Sequence, residues 1–184
     1  SKESKNLRKK FNFKEEAFLI GSFQRDTEGS DLISPKLSKG PDQLLEIITE
    51  MIKDKSNLEV VLTGKRRNYL INNFKKLGIP FHYFEMVDFD MINNLYNCLD
   101  LYIVSSRFEG GPQSVVECGL TKTPIISTRV GIAEEILPGK SLFDMDNFKN
   151  AKPDVDFAYN KSLQYTIPEG FKEFRNLFSR LNEI

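Results

Sequence analysis

Short apolar runs alternate with longer amphipathic ones through most of this chain. The run from Ala17 to Phe23, broken by Gly21, predicts a first strand. A polar stretch from Gln24 to Gly40 follows. It is long for a loop inside a compact domain, and such loops are functional or disordered. Pro41 and Asp42 then suit the first turn and the positive end of a helix. Leu44, Leu45, Ile47, Ile48, Met51 and Ile52 recur behind them at helical spacing and predict a core-facing side.

The alternation continues with a strand at 58–63 stopped by Gly64, and a helix at 66–77 closed by Gly78. Further strands are expected at 81–84, 101–105, 124–127 and 141–143, with helical stretches at 89–98, 112–119 and 132–137 between them. Residues 147–165 read as loop with room for a helix. Phe171, Phe174, Leu177, Phe178 and Leu181 predict a last helix with a core-facing side. This order points to α/β architecture: a doubly wound, Rossmann-like parallel sheet with helices on both faces.

Composition adds limits. The 184 residues fit one domain with a sizeable core. The 26 basic and 26 acidic residues cancel, so no global field draws a polyanion, and nucleic acid is not an expected partner. No apolar run reaches the ~20 residues that span a bilayer, and no signal peptide is visible. Cys98 and Cys118 form neither a disulfide framework nor a metal-ligand spacing, which favours a reduced, cytoplasmic setting. The basic start through Lys10 reads most simply as a solvated linker. Its lack of an initiator Met fits an excised piece of a longer protein.

In an open α/β sheet, ligands bind beyond the carboxyl ends of the strands. The richest such place runs from Ser105 to Glu117, where a buried strand ends, Gly110 and Gly111 follow, and Pro112 opens a helix. Glycines let the backbone approach a ligand closely, and the free N–H groups of a first helical turn suit a diphosphate. Pro112 has no N–H, so the donors are expected at Gly111, Gln113 and Ser114. Carboxylates beside phosphate would be repelled, so Glu109 and Glu117 are better used as acceptors for sugar hydroxyls. Two glutamates eight apart mean little alone; the glycines and the strand-to-helix setting give them a task.

A second place follows the first strand, where Arg25, Lys36 and Lys39 could face the negative charge of a leaving diphosphate. A third is Gly64-Lys65, where a binding role and a plain turn are equally open. His82, inside an apolar strand, reads as a packed, hydrogen-bonded residue, and no serine-histidine-carboxylate set or zinc spacing is present.

From about Ala17 to Leu137 the chain resembles the C-terminal domain of the retaining, GT-B fold glycosyltransferases called group 1 or family 4. The matching pieces are Ile20-Gly21, Lys39-Gly40, Val61 to Gly64, Leu95 to Ser106, Glu109-Gly110, Glu117, Gly119, Thr123 to Ser127, Val130-Gly131 and Glu135-Ile136.

The resemblance implies one half of a two-domain hexosyltransferase-type enzyme. Residues 1–16 would be a linker or the end of an interdomain segment. Residues 17–184 would be the nucleotide-sugar-binding domain with its C-terminal helix. An acceptor domain would precede them, so this piece alone would bind but not transfer. The donor would be a UDP- or GDP-sugar, with no obligatory metal or other cofactor. The acceptor would be a saccharide or a lipid-linked one, which leaves peripheral association with the inner face of a membrane open to the whole protein.

By carry-over, Glu109 contacts the donor sugar, Glu117 the ribose, the amides after Glu109 (Gly110 onward) the phosphates, and Lys39 is the family's lysine. The family's arginine follows the first strand's glycine directly; Ser22 stands there, and Arg25 is the nearest candidate. Gly111-Pro112 replaces the commoner Phe-Gly. A non-catalytic nucleotide-sugar module, or an epimerase or phosphorylase on the same fold, is the alternative.

Overall fold

The structure is a computed structural model describing residues 2–181; Ser1 and residues 182–184 lie outside it. Six parallel strands form one sheet: β1 (Phe18–Ser22), β2 (Leu58–Thr63), β3 (Phe81–Phe84), β4 (Leu101–Val104), β5 (Ile125–Thr128) and β6 (Leu142–Phe143). Their order across the sheet is β3-β2-β1-β4-β5-β6. That is the doubly wound, Rossmann-like arrangement. The chain first winds outward from β1 to β3, then crosses back to β4 and winds the other way.

Period-two alternation divides the strand side chains between two cores. Ile20, Val60, Leu62 and Ile103 face α2 (Pro41–Asp54) and α3 (Asn68–Leu77), where Leu44, Ile47, Ile48, Leu70 and Phe74 are buried. Leu19, Val61, Tyr102 and Val104 face the opposite layer. That layer holds α4 (Phe89–Tyr96), α5 (Gln113–Leu120), α6 (Ala133–Ile136) and α7 (Val155–Ser162). With both faces covered, β2 is buried along its whole length, Glu59 included. Glu59 keeps its charge by pairing with Lys14 at 2.8 Å and with His82 at 2.6 Å, so His82 is a packed, hydrogen-bonded residue.

The two ends of the chain differ from the sequence reading, and residues 147–165 supply the helix that it left room for. The basic start is no solvated strand of linker: residues Lys2–Lys10 form α1. Arg8 donates to the carbonyls of Cys98 and Ala17 and pairs with Asp100, while Phe13 is buried. Charge patterning cannot reveal this, because Arg8, the buried Phe13 and the partly buried Phe11 do the anchoring.

Residues 147–165 contain α7, capped by the Asp154 side chain on the amide of Phe157. α7 lies so close to α5 that a Cβ at Gly119 would sit 1.9 Å from the Ser162 hydroxyl.

The last helix, α8 (Lys172–Leu181), forms as expected but not as core. Phe171, Phe174, Leu177 and Phe178 are between 54% and 62% exposed; the side chain of Leu181 is not among the described ones. Helical periodicity gathers these residues on one face, yet says nothing about what lies against it.

Candidate functional site

The strand order reverses direction between β1 and β4, and the loops leaving their carboxyl ends build one cleft of about 410 Å³. It is lined by Phe23, Gln24 and Lys39 from the β1 side, Glu109, Gly111, Gln113, Ser114 and Glu117 from the β4 side, and Tyr96 and Tyr102 beneath.

Lys39 reaches the cleft because the long loop is tied down at both ends. At its start, Asp26 accepts from the fully buried guanidinium of Arg67 at 2.9 Å. Arg67 also donates to the carbonyls of Ser22 and Thr63. Burial lowers the Arg67 pKa, an effect opposed by the adjacent Asp26 carboxylate. At the loop's end a single 3-10 turn, Leu37–Lys39, leads into Gly40 at φ 59°. Arg107 clamps this turn from the other side of the cleft. It donates through both terminal nitrogens to Asp42, at 2.8 and 2.6 Å, and to the carbonyl of Leu37. The Arg107 hydrogen bonds hold the Asp42 carboxyl below its usual value.

So placed, the Lys39 ammonium lies 2.5 Å from Glu109 Oε1. Ser106 Oγ donates to the same oxygen at 2.9 Å, and Gln24 Nε2 donates to the Lys39 carbonyl at 2.8 Å. Glu109 is thereby held as an acceptor through Oε1.

Pro112 is the N-cap of α5, with extended ψ 106°, so the helix begins one residue later than its proline suggests. Among the described residues, no acceptor takes the amides of Gly111, Gln113 or Ser114. They are unpaired first-turn donors, and the carboxylate of Glu117 stands one turn further along. Glu117 Oε2 accepts from the buried Tyr96 hydroxyl at 2.7 Å.

Of the candidates read from the sequence, this cleft gathers Lys39, Glu109, Gly111, Gln113, Ser114 and Glu117. Gly110 faces an adjoining hollow shared with Arg107, Phe108 and Arg129. Arg25 is outside the lining, and its Nε donates to the Thr27 carbonyl at 2.7 Å. Gly64 and Lys65 are outside it as well; the Gly64 carbonyl accepts from Tyr83. Gln24, Tyr96, Ser106 and the Asp42–Arg107 clamp are additions that no spacing announced. Among the described residues, no three His, Cys, Asp or Glu side chains gather as a metal-holding group. No described helix is long and apolar enough to cross a membrane.

The model of the family described as "Glycosyl transferases group 1" matches residues 32–151. No curated protein matches the sequence. Among solved structures, sucrose-phosphate synthase from Thermosynechococcus elongatus aligns with 97% of this chain and 49% of its own, at TM-score 0.73 and 12% identity. HepE from Anabaena, solved with UDP and glucose, aligns with 100% and 52%, at 0.70 and 16%. The C-terminal domain of a group 1 glycosyl transferase family protein (LpcC) from Francisella tularensis aligns with 89% and 93%, at 0.69 and 17%. Identities this low establish the fold. This chain spans about half the length of the first two.

Proposed function

This chain belongs to the group 1 glycosyl transferases, and from that premise we propose that it is the donor-binding half of a retaining, hexosyltransferase-type enzyme. The cleft between β1 and β4 takes the nucleoside diphosphate of a UDP- or GDP-sugar. The amides of Gly111, Gln113 and Ser114 donate to the phosphates. Lys39, with three N–H donors, gives one to Glu109 and turns the others to the diphosphate. Glu109 accepts from a hydroxyl of the transferred sugar, and Glu117 from the ribose.

One observation carries this reading. A cation, two carboxylates and three unpaired amides converge on one cleft at the point where strand order reverses. A nucleotide-sugar is a ligand whose anionic and hydroxyl parts use all of them. HepE, a neighbour in fold, was solved with UDP and glucose, which supports the same ligand class.

In the reaction, the bond from the sugar's anomeric carbon to the diphosphate oxygen breaks, and its electron pair leaves with the diphosphate. Lys39 and the amides stabilise the charge that grows there. The acceptor hydroxyl bonds to the same carbon from the same face and gives its proton to the departing diphosphate. The acceptor, a saccharide or a lipid-linked one, is bound by a second half. Arg25 lies outside the cleft lining, with its Nε on the Thr27 carbonyl, and is given no role in this reading.

Calorimetry with UDP, GDP and their sugars tests this. The wild type is expected to bind one nucleotide series, and Glu117→Ala to bind it about tenfold or more weakly. Absence of binding to either series, or an unchanged affinity in Glu117→Ala, counts against the proposal.

A further inference from the structure

Tyr96 ends α4 under the cleft and is 2% exposed. Its ring lies against Phe23 at 4.9 Å and Tyr102 at 5.5 Å, and its carbonyl accepts from the Thr123 hydroxyl at 3.0 Å. Ring and backbone are both held, so the direction of the phenol O–H is set by its acceptor. That acceptor is Glu117 Oε2, at 2.7 Å. Burial pushes the Tyr96 hydroxyl far above its ordinary pKa, so it stays protonated and keeps donating. Among the described residues nothing donates to the other oxygen, Oε1.

We infer that Tyr96 is a positioning residue that makes the cleft select ribose over deoxyribose, by pinning one oxygen of Glu117 so that the other is presented to the ribose hydroxyls. This rests on the donor-site reading above. The physical reason lies in the freedom of a glutamate side chain. An unpinned carboxylate facing a ligand that lacks a hydroxyl turns to water and loses little. A pinned one is left with an unpaired oxygen, and that penalty is what discriminates. The inference also gives the buried phenol a purpose: a phenylalanine fills the same aromatic cluster without the hydroxyl.

The test is calorimetry with whichever of UDP and GDP binds, together with its 2′-deoxy and 3′-deoxy analogues. The wild type is expected to prefer the ribonucleotide over at least one analogue by about tenfold or more. In Tyr96→Phe the preference falls to about threefold or less. In a Glu117→Ala background the same substitution leaves the remaining preference unchanged, because Tyr96 acts only through Glu117.

Melting temperature checks that Tyr96→Phe is folded. If it is not, Glu117→Asp draws the carboxylate away from the intact phenol and is expected to lose the preference equally. Three results overturn the inference: a wild type that does not discriminate, a folded Tyr96→Phe or Glu117→Asp that keeps the wild-type preference, or a Tyr96→Phe that weakens all three nucleotides alike. A wild type that binds neither UDP nor GDP overturns the donor-site reading and this inference with it.

Discussion

Gly40 crosses the end of β4 so closely that a Cβ on it would lie 1.8 Å from the carbonyl oxygen of Ser105. Its φ of 59° is in the left-handed region, and its own carbonyl accepts from the Ser105 hydroxyl at 2.9 Å. The crossing brings the loop after β1 onto the loop after β4, and with it Lys39 onto Glu109.

Gly40→Ala is therefore expected to cost about 2–4 kcal/mol, from left-handed strain and the clash with backbone together. Urea denaturation measures it. Nucleotide affinity should fall beyond what partial unfolding explains, because Lys39 moves.

The buried Arg67–Asp26 pair fixes the other end of the same loop. Removing one partner leaves an uncompensated buried charge, so Arg67→Met is expected to destabilise by about 3–5 kcal/mol. Adding Asp26→Asn should restore part of the loss. Equal unfolding midpoints for the single and double variants would argue against the pairing.

Glu50 accepts from Lys53 on its own helix α2 and from Lys149 on the 3-10 turn Phe148–Asn150, and these bonds draw its carboxyl from 4.5 down to about 2. A carboxyl depressed on folding contributes stability that is present above its unfolded pKa and lost as pH falls through its folded one. Thermal stability is expected to drop between about pH 4.5 and 2. Glu50→Gln should shallow that drop, as read from melting curves across this range.

The fold was legible because period two and period 3.6 alternate cleanly, and because Gly64 and Gly78 mark real stops. Strands β2 and β3 fall where the apolar runs place them. The cleft was legible in part: glycines before a helix start, and glutamates on either side of it, follow from local rules. What escaped depends on long-range partners. Arg67 looks like a surface charge until Asp26 is folded onto it, Tyr96 like an ordinary core residue until Glu117 turns toward it. The aromatic face of α8 shows the opposite error, a core signature on an exposed helix.

That face carries its own prediction. An uncovered stripe of Phe171, Phe174, Leu177 and Phe178 should make this 184-residue chain self-associate at high concentration. Phe174→Ser with Phe178→Ser should reduce light scattering and leave the melting temperature unchanged. Scattering unaffected by the double substitution would separate the stripe from self-association.

The amides opening α5 and the Lys39–Glu109 pair are proposed to form one nucleotide site. Titrating UDP and then GDP into isotope-labelled protein, with backbone amide shifts as the readout, tests it most directly. One of them is expected to move the amides of Gly111, Gln113 and Ser114 most, with Lys39 and Glu117 following at the same midpoint. Saturable shifts that leave those amides still and cluster elsewhere, or no shifts with either nucleotide, would contradict it.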